Sequence, residues 1–346
     1  MLYYLIPYLF LAATVSMLYI SKIKRKNYTV FPFCVSMPAI LIAVLSGDSG
    51  TDKEAYYTWI GNAFNGNMEK VTYEPGFKYL TYLLSFIYPH VYVIIPIIAF
   101  LTSCFLIRAY SNSKWQLLIF TFFIFPYFYY DMTMNGLRYG LSFSLASMAA
   151  LQLTKDKKSS VKFVIYALLA VSMQYSSIII LALIYVSQMR IKKAHILLLI
   201  VLGYAVFNML DFTYFDNKAD AYKDASSPSG LSGLSPLILF VVIFVFNWLL
   251  NKKLHFIFFV LLVLELASFM LSLKSYSGLR FQSLMIFTLM LFIANFQDPP
   301  AFRKRMLFAF FLIGIMSFSL KIRNFMSEEK YVNTPFLPYE FFWERK

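Results

Sequence analysis

The chain has 346 residues, of which 60% are hydrophobic and only 14% are charged, and its mean hydropathy is +0.65. Because soluble domains are usually ~45–50% apolar, this composition excludes a single water-soluble core. The formal net charge of +14 is spread in small clusters between apolar blocks. That distribution excludes the continuous basic face typical of nucleic-acid binding, so we predict contact with a lipid bilayer and none with nucleic acid.

Apolar blocks of ~15–20 residues, separated by short polar segments, predict an all-α polytopic integral membrane protein. The first block, 2–20, is followed rather than preceded by basic residues. This favours an uncleaved anchor helix with its N-terminus outside. A second span is expected at 30–45, followed by an outer loop at about 46–78. The apolar run that ends this loop is too short to cross, so 74–88 is interpreted as a re-entrant or interfacial helix.

The remaining apolar blocks bring the total to about 12 transmembrane segments. They are predicted at 91–107, 116–130, 137–153, 162–187, 196–210, 236–250, 254–273, 281–296 and 306–320. We prefer a break at Gln174 to Ser177, which divides 162–187 into two half-spans, completes the total of about 12 and keeps the basic residues at 190–193 inside. One long helix is the alternative.

This topology places most basic residues in inner loops, as the positive-inside rule requires, and both termini outside. It also predicts a second outer loop at about 211–235, whose Tyr, Ser and Gly content suits either a mobile lid or a plain connector. The whole chain, 1–346, is interpreted as a single transmembrane domain.

Unusual polar residues gather on the predicted outer side. Arg138 and Arg280 each precede a long apolar run, so each is expected at the outer mouth of a helix. A guanidinium binds phosphate oxygens bidentately, which suggests an anionic ligand; snorkelling to lipid head groups or pairing with a carboxylate is the alternative. Asp52 and Glu74 could act as a general base, although loop carboxylates, Asp131 included, are more often solvated surface groups.

Other reactive residues indicate no site by themselves. Cys34 and Cys104 lie within apolar blocks and are predicted to be core residues rather than disulfide partners or metal ligands. Glu265 lies within a span and is either a packing partner for a buried polar group or part of the site. No metal-ligand spacing, P-loop or Rossmann pattern occurs in the sequence, so we expect no metal and no cofactor.

Several of these residues form an ordered series between about residues 45 and 285. The series is Gly50-Thr51-Asp52 with Tyr56, then Tyr73-Glu74-Pro75-Gly76-Phe77, then Met134-Asn135-x-x-Arg138, and finally Arg280. It resembles the motif series of the EpsG/Wzy family, which are bacterial membrane polymerases of O-antigen and other surface polysaccharides. Two features depart from that family. No arginine stands shortly before Gly50, and Gln174-Tyr175 replaces a Phe-His pair, so no imidazole base is available there.

The resemblance implies a glycosyltransferase-type polymerase at the outer face of the bacterial inner membrane, which joins oligosaccharide repeat units carried on undecaprenyl diphosphate. It implies that Arg138 and Arg280 stabilise the diphosphate leaving group and that Asp52 or Glu74 assists the attacking hydroxyl. The implied partners are the polyprenyl-diphosphate-linked oligosaccharide and a chain-length regulator. Expected substrate-binding residues are Thr51, Tyr56, Tyr73, Asn135, Tyr139, Gln174 and Tyr276.

The sequence also allows other functions. A flippase or transporter for lipid-linked oligosaccharide would also need many spans and interior cations, but it would favour internal repeats and polar residues near the bilayer midplane. The sequence shows no clear repeat, and its polar residues cluster at one predicted face. A membrane glycosyltransferase that adds a single sugar, or an O-acyltransferase, would use a similar interfacial site.

Overall fold

The computed structural model describes residues 1–21, 30–65, 73–154, 159–188, 233–251, 255–297, 299, 304–327 and 336–344. These ranges are all-α and contain no strand. The helices are α1 (Leu2–Ile20), α2 (Val30–Val44), α3 (Lys53–Phe64), α4 (Pro75–Ile87), α5 (Val91–Ala109), α6 (Lys114–Ile119), α7 (Leu137–Gln152), α8 (Ser160–Met173), α9 (Ser177–Gln188), α10 (Leu234–Asn251), α11 (Phe256–Ser272), α12 (Tyr276–Phe296) and α13 (Lys304–Ser327). Wider π-helical turns at Phe120–Tyr129 and Asp131–Asn135 continue α6 towards α7.

Among the described residues, five helices are long and apolar enough to cross a membrane: α1, α5, α10, α12 and most of α13. Four shorter apolar helices accompany them: α2, α8, α9 and α11. The predicted all-α membrane architecture is therefore supported, while the total of about 12 crossings stays a prediction. The span predicted at 196–210 and most of the loop 211–235 lie outside the described residues.

The predicted break within 162–187 is confirmed as a break in helix geometry. Helix α8 ends at Met173 and α9 begins at Ser177, with Gln174 in extended backbone between them. The Ser177 hydroxyl donates to the Gln174 carbonyl oxygen at 2.9 Å, and the Ser142 hydroxyl of α7 donates to the Ala170 carbonyl oxygen at 2.7 Å. Carbonyl groups at the break thus gain hydroxyl donors, which a broken helix in an apolar chain requires.

The segment predicted as an interfacial or re-entrant helix forms α4. Glu74 is its N-cap residue and Pro75 occupies its first position, where a missing N–H has no helical partner to lose. With 13 residues, α4 is too short to span a bilayer. A Cβ at Gly76 would lie 2.3 Å from the Ser172 hydroxyl oxygen, so the glycine permits close approach of α4 to α8.

The chain divides into two compact units, and the prediction of one domain over 1–346 stays a prediction. The first unit is Met1–Leu181 with Met290–Lys346, and the second is Ala182–Leu289. In the first, all ten residues of Phe120–Tyr129 are buried, and this segment packs against α1 and α13. Helix α7 is also largely buried and packs between α5 and α8. This core fixes both ends of the segment that carries Asn135 and Arg138.

In the second unit, Glu265 of α11 is fully buried, and its Oε1 accepts a hydrogen bond from Gln282 Nε2 at 2.9 Å. The same amide nitrogen donates to the Gly233 carbonyl oxygen at 3.0 Å. These contacts favour the packing interpretation of Glu265. Both cysteines are free, and Cys34 is exposed on α2, so its prediction as a core residue is wrong. An apolar helix in a membrane chain does not need to bury every apolar position within the protein.

Candidate functional site

The segment between α2 and α3 carries the Gly-Thr-Asp motif and lies against two other parts of the first unit. Gly50 has a φ of +137°, a conformation that residues with a Cβ rarely adopt. A Cβ there would also lie 2.8 Å from the Met134 carbonyl oxygen. A Cβ at Gly47 would lie 2.9 Å from the Phe341 carbonyl oxygen. Both glycines are therefore required for the close approach of this loop to its neighbours.

The C-terminal segment 336–344 pairs with the start of this loop. Gly47 N donates to the Glu340 carbonyl oxygen at 2.8 Å, and Phe342 N donates to the Leu45 carbonyl oxygen at 3.0 Å. Tyr4 OH of α1 donates to the Phe336 carbonyl oxygen at 3.0 Å. The loop that leads to Asp52 is thus held on one side by the end of the chain, a contact that the sequence did not predict.

Asn135 joins the first motif to the third. Its Oδ1 accepts two hydrogen bonds, from Thr51 Oγ1 at 2.8 Å and from Asp52 N at 3.0 Å. Asp52 is the N-cap residue of α3, but its carboxylate makes no capping hydrogen bond to that helix. The backbone of Asp52 is therefore fixed by Asn135, and its carboxylate is not used to cap the helix.

Arg138 and Glu74 form a buried ion pair at the start of α7. Arg138 Nη1 lies 2.7 Å from Glu74 Oε2, and Glu74 is only 2% exposed. The guanidinium also lies over the Tyr73 ring, 4.5 Å from its centroid. Within the part of the chain that the structure describes, Arg138 Nε is buried without a hydrogen-bond partner. The expectation that Glu74 is a solvated loop carboxylate is wrong, because packing of α4 encloses it beside a cation.

Aromatic rings from α3 and the start of α4 surround this ion pair. The Tyr73 ring centroid lies 5.8 Å from that of Tyr56, 5.3 Å from that of Phe77 and 4.3 Å from that of Trp59. Burial raises the pKa of both tyrosines; the Arg138 guanidinium opposes this shift, and the Asp52 carboxylate adds to it. Tyr56 also contacts Asp52 directly, because Tyr56 N donates to the Asp52 carbonyl oxygen at 3.1 Å. Trp59 was not predicted, although its spacing from Tyr56 places both on one face of α3.

A second ion pair, which the sequence did not predict, lies next to Asn135. Lys321 Nζ of α13 lies 2.7 Å from Asp131 Oδ2. The other oxygen, Oδ1, accepts from Asn135 Nδ2 at 3.1 Å, and Tyr139 OH donates to Oδ2. The expectation that Asp131 is a solvated loop group is wrong, because α13 supplies a cation to it. The available signal was a lysine next to the last apolar block.

Lys53, the residue after Asp52, is 1% exposed and anchors the loop from within. Its Nζ donates to Ser46 O at 2.8 Å, to Ser46 Oγ at 2.6 Å and to the Gly47 carbonyl oxygen. Burial lowers the pKa of this ammonium to about 7, and the Asp48 carboxylate opposes the shift. All three acceptors belong to the loop, so we interpret Lys53 as a structural residue.

Most of the predicted site residues therefore converge in the first unit, in what we call the Asp52 cluster. Gln174 lies at the α8–α9 break, where its Nε2 donates to Ser176 Oγ at 2.8 Å. Tyr276 and Arg280 lie in the first turns of α12, in the second unit, and their part in the same site stays a prediction. The Asp52 cluster consists of Thr51, Asp52, Tyr56, Tyr73, Glu74, Asn135, Arg138 and Tyr139.

The cluster combines groups that suit a sugar and a charged leaving group. Aromatic faces pack on sugar rings, a carboxylate accepts hydrogen bonds from sugar hydroxyl groups, and a guanidinium binds phosphate. Because Glu74 balances the charge of Arg138, the cluster is not a simple cationic patch. The described residues contain no group of three or more His, Cys, Asp or Glu side chains able to hold a metal ion.

Gly50→Ala is expected to lower the free energy of unfolding by about 1–3 kcal/mol, because the positive φ is strained and the new methyl group meets the Met134 carbonyl. Gly61→Ala is the matched control. Gly61 lies in α3, and a Cβ there would meet no heavy atom within 4 Å, so alanine should be neutral or stabilising by about 0.5–1 kcal/mol. Thermal unfolding of the detergent-solubilised variants measures both. Equal melting temperatures for the two variants would contradict the strained-loop interpretation.

Comparison with known proteins supports the resemblance seen in the motifs. The family model of the EpsG family matches residues 28–341, which is nearly the whole chain. No curated protein and no solved structure shows significant similarity to the chain. The match extends beyond the motif series on both sides and includes α13 with Lys321. The chain therefore belongs to the EpsG family, a Wzy-like family of surface polysaccharide polymerases.

Proposed function

We propose that this protein joins oligosaccharide repeat units carried on undecaprenyl diphosphate into O-antigen or a similar surface polysaccharide. The observation that carries the proposal is the convergence of Asp52, Arg138 and the tyrosines from three separate segments of the chain. Family membership supplies the class of reaction, and the cluster supplies groups for its two difficult requirements. These are a stabilised diphosphate leaving group and an activated sugar hydroxyl.

In the proposed reaction, the bond between the anomeric carbon of the growing chain and its lipid diphosphate breaks. A hydroxyl oxygen of the next lipid-linked unit forms the new glycosidic bond, and the hydroxyl proton passes to a base. Asp52 is the first candidate for this base, because its carboxylate lies near two tyrosines and is not used as a helix cap. Glu74 is the second candidate, but its ion pair with Arg138 makes it better suited to hold the guanidinium.

Arg138 is proposed to stabilise negative charge on the departing diphosphate. Its Nε is buried and has no hydrogen-bond partner among the described residues, while Nη1 is occupied by Glu74. A guanidinium that is anchored on one side and has a spare donor is pre-organised for an anionic group. Tyr56 and Tyr73 are proposed to pack on sugar rings, and Thr51, Asn135, Tyr139 and Gln174 are proposed to bind substrate as well. For Arg280 and Tyr276, in the second unit, the proposed roles are those that the family resemblance implies: a phosphate-binding cation and a substrate-binding residue.

The proposed site faces the periplasm or exterior side of the bacterial inner membrane, where the positive-inside rule places the loops that carry the motifs. The apolar helices provide a surface for the polyprenyl chain. A chain-length regulator is proposed as a partner that acts on the growing polymer.

The function is tested by deleting the protein in its host and separating the surface polysaccharide by electrophoresis. We expect loss of the polymer ladder, with a single repeat unit still transferred to the final acceptor, and restoration of the ladder by the wild-type chain. If the deletion also abolishes the single unit, the protein acts earlier, and a flippase or a sugar-adding enzyme becomes the better account. An unchanged ladder would contradict the proposal outright.

A further inference from the structure

We propose that Asp131 and Lys321 are positioning residues that set the orientation of the Asn135 amide and thereby hold the Asp52 backbone in place for glycosyl transfer. The proposal rests on the proposed function and adds to it two residues from outside the motif series. Neither residue belongs to the Asp52 cluster. Their effect would pass through Asn135, the residue that contacts both Asp131 and the backbone of Asp52.

The orientation of the Asn135 amide follows from the chemistry of its neighbours. An ionised carboxylate can only accept hydrogen bonds, so Asp131 Oδ1 selects the NH₂ end of the amide. The oxygen end then points to Thr51 Oγ1 and Asp52 N, both of which donate to it. A flipped amide would place its oxygen against the carboxylate and its NH₂ against the Asp52 N–H. Both contacts would become repulsive, so only one orientation satisfies all three partners.

This selection requires Asp131 to stay ionised in a largely enclosed position. The side chains of Asp131 and Lys321 are 16% and 17% exposed, and their charged atoms lie 2.7 Å apart. A poorly solvated carboxylate without a cation favours its protonated form, which is itself a donor and would no longer select the NH₂ end. Lys321 therefore keeps Asp131 an acceptor. Tyr139 adds a second donor to the same oxygen, Oδ2.

The contact also links distant parts of the chain. Lys321 is 190 residues from Asp131 in sequence and lies near the end of α13, which packs on the buried Phe120–Tyr129 segment. The position of the lysine is therefore fixed by the core. The ion pair in turn holds the Asp131 carboxylate beside the Asn135 amide. A shift of about 1 Å in a positioning contact can lower a catalytic rate by as much as ~10²-fold.

The test uses membranes that contain the full-length protein and the lipid-linked repeat unit that accumulates in the deletion strain. Initial rates of polymer formation are measured against the concentration of that unit. For Lys321→Met we expect kcat at least ~10-fold lower, with KM nearly unchanged and normal abundance in the membrane. Lys321→Arg should recover most of the lost kcat, because it keeps the charge beside Asp131. Arg323→Met removes an equal charge from an exposed position of the same helix and should match wild type.

The double variant Asp131→Leu/Lys321→Met distinguishes a positioning role of the ion pair from a purely structural role. This variant removes both charges together, so no unpaired charge remains, yet it also removes the acceptor that orients Asn135. We expect normal abundance with kcat still low. Recovery of wild-type kcat in the double variant, or wild-type kcat in Lys321→Met, would overturn the inference. If the wild-type membranes themselves make no polymer from the lipid-linked unit, the proposed function fails instead.

Discussion

Replacing Arg138 with alanine should reduce polymer formation by at least ~10²-fold, one of the two largest effects expected from single substitutions in the Asp52 cluster. Loss of one pre-organised donor to a developing negative charge typically lowers a rate by ~10²–10³-fold. Arg138→Lys should also be strongly impaired, because lysine keeps the charge but lacks the planar fork that engages Glu74 and phosphate together. Polysaccharide ladders from complemented deletion strains, read beside membrane levels of each variant, measure the effect.

The alanine variant also removes the Arg138 cation from the ion pair with the buried Glu74 carboxylate. Breaking a buried pair in this way typically costs ~3–5 kcal/mol, so reduced abundance is expected as well. The double variant Arg138→Ala/Glu74→Gln separates the two effects, because it removes both charges. It should restore abundance without restoring polymer. A double variant that makes normal ladders would show that Arg138 has only a structural role.

Arg108 provides the matched control for loss of an arginine. It lies in the last turn of α5, and its Nη1 donates to Asn112 Oδ1 at 2.9 Å, a contact within the same local segment. Arg108→Ala therefore removes the same type of side chain without taking a cation away from a buried carboxylate. We expect normal ladders and abundance. An equal loss in both alanine variants would point to a general effect of charge on membrane insertion.

Asp52→Asn should reduce polymer formation by about 10²–10⁴-fold while abundance stays normal. Asparagine keeps the size of the side chain and the backbone N–H that donates to Asn135, but it cannot take a proton from a sugar hydroxyl. Since the Asp52 side chain does not cap α3, its replacement leaves that helix end unchanged. The measurement is the rate of polymer formation in membranes supplied with the lipid-linked unit.

Glu54→Gln is the control for Asp52→Asn, because Glu54 lies two residues further on in the first turn of α3 and is exposed. The same change from carboxylate to amide at that position should leave the rate within about twofold of wild type, as expected for a surface substitution. Polymer formation at the wild-type rate in Asp52→Asn would remove Asp52 from the mechanism. Catalysis would then rest on positioning and on stabilisation of the diphosphate.

The sequence alone determined features that depend on local composition. Apart from the block at 196–210, which lies outside the described residues, the blocks of apolar residues predicted helices that the structure contains. The polar run at Gln174 predicted the break between α8 and α9. The short length of 74–88 predicted a helix unable to span, which is α4. The motif series identified the family, because the order of its few polar residues can be read directly from the sequence.

The partners of the charged residues were decided only by the tertiary structure. Glu74 and Arg138 are 64 residues apart, and Asp131 and Lys321 are 190 apart. Hydropathy places each residue near the end of a helix, but it does not state which helices are neighbours. Ion pairs form where packing brings two helix ends together, and the cost of burying an unpaired charge makes such pairing specific. Packing of α4 against α8, and of α13 against the buried π-helical segment, therefore placed the two carboxylates in enclosed ion pairs.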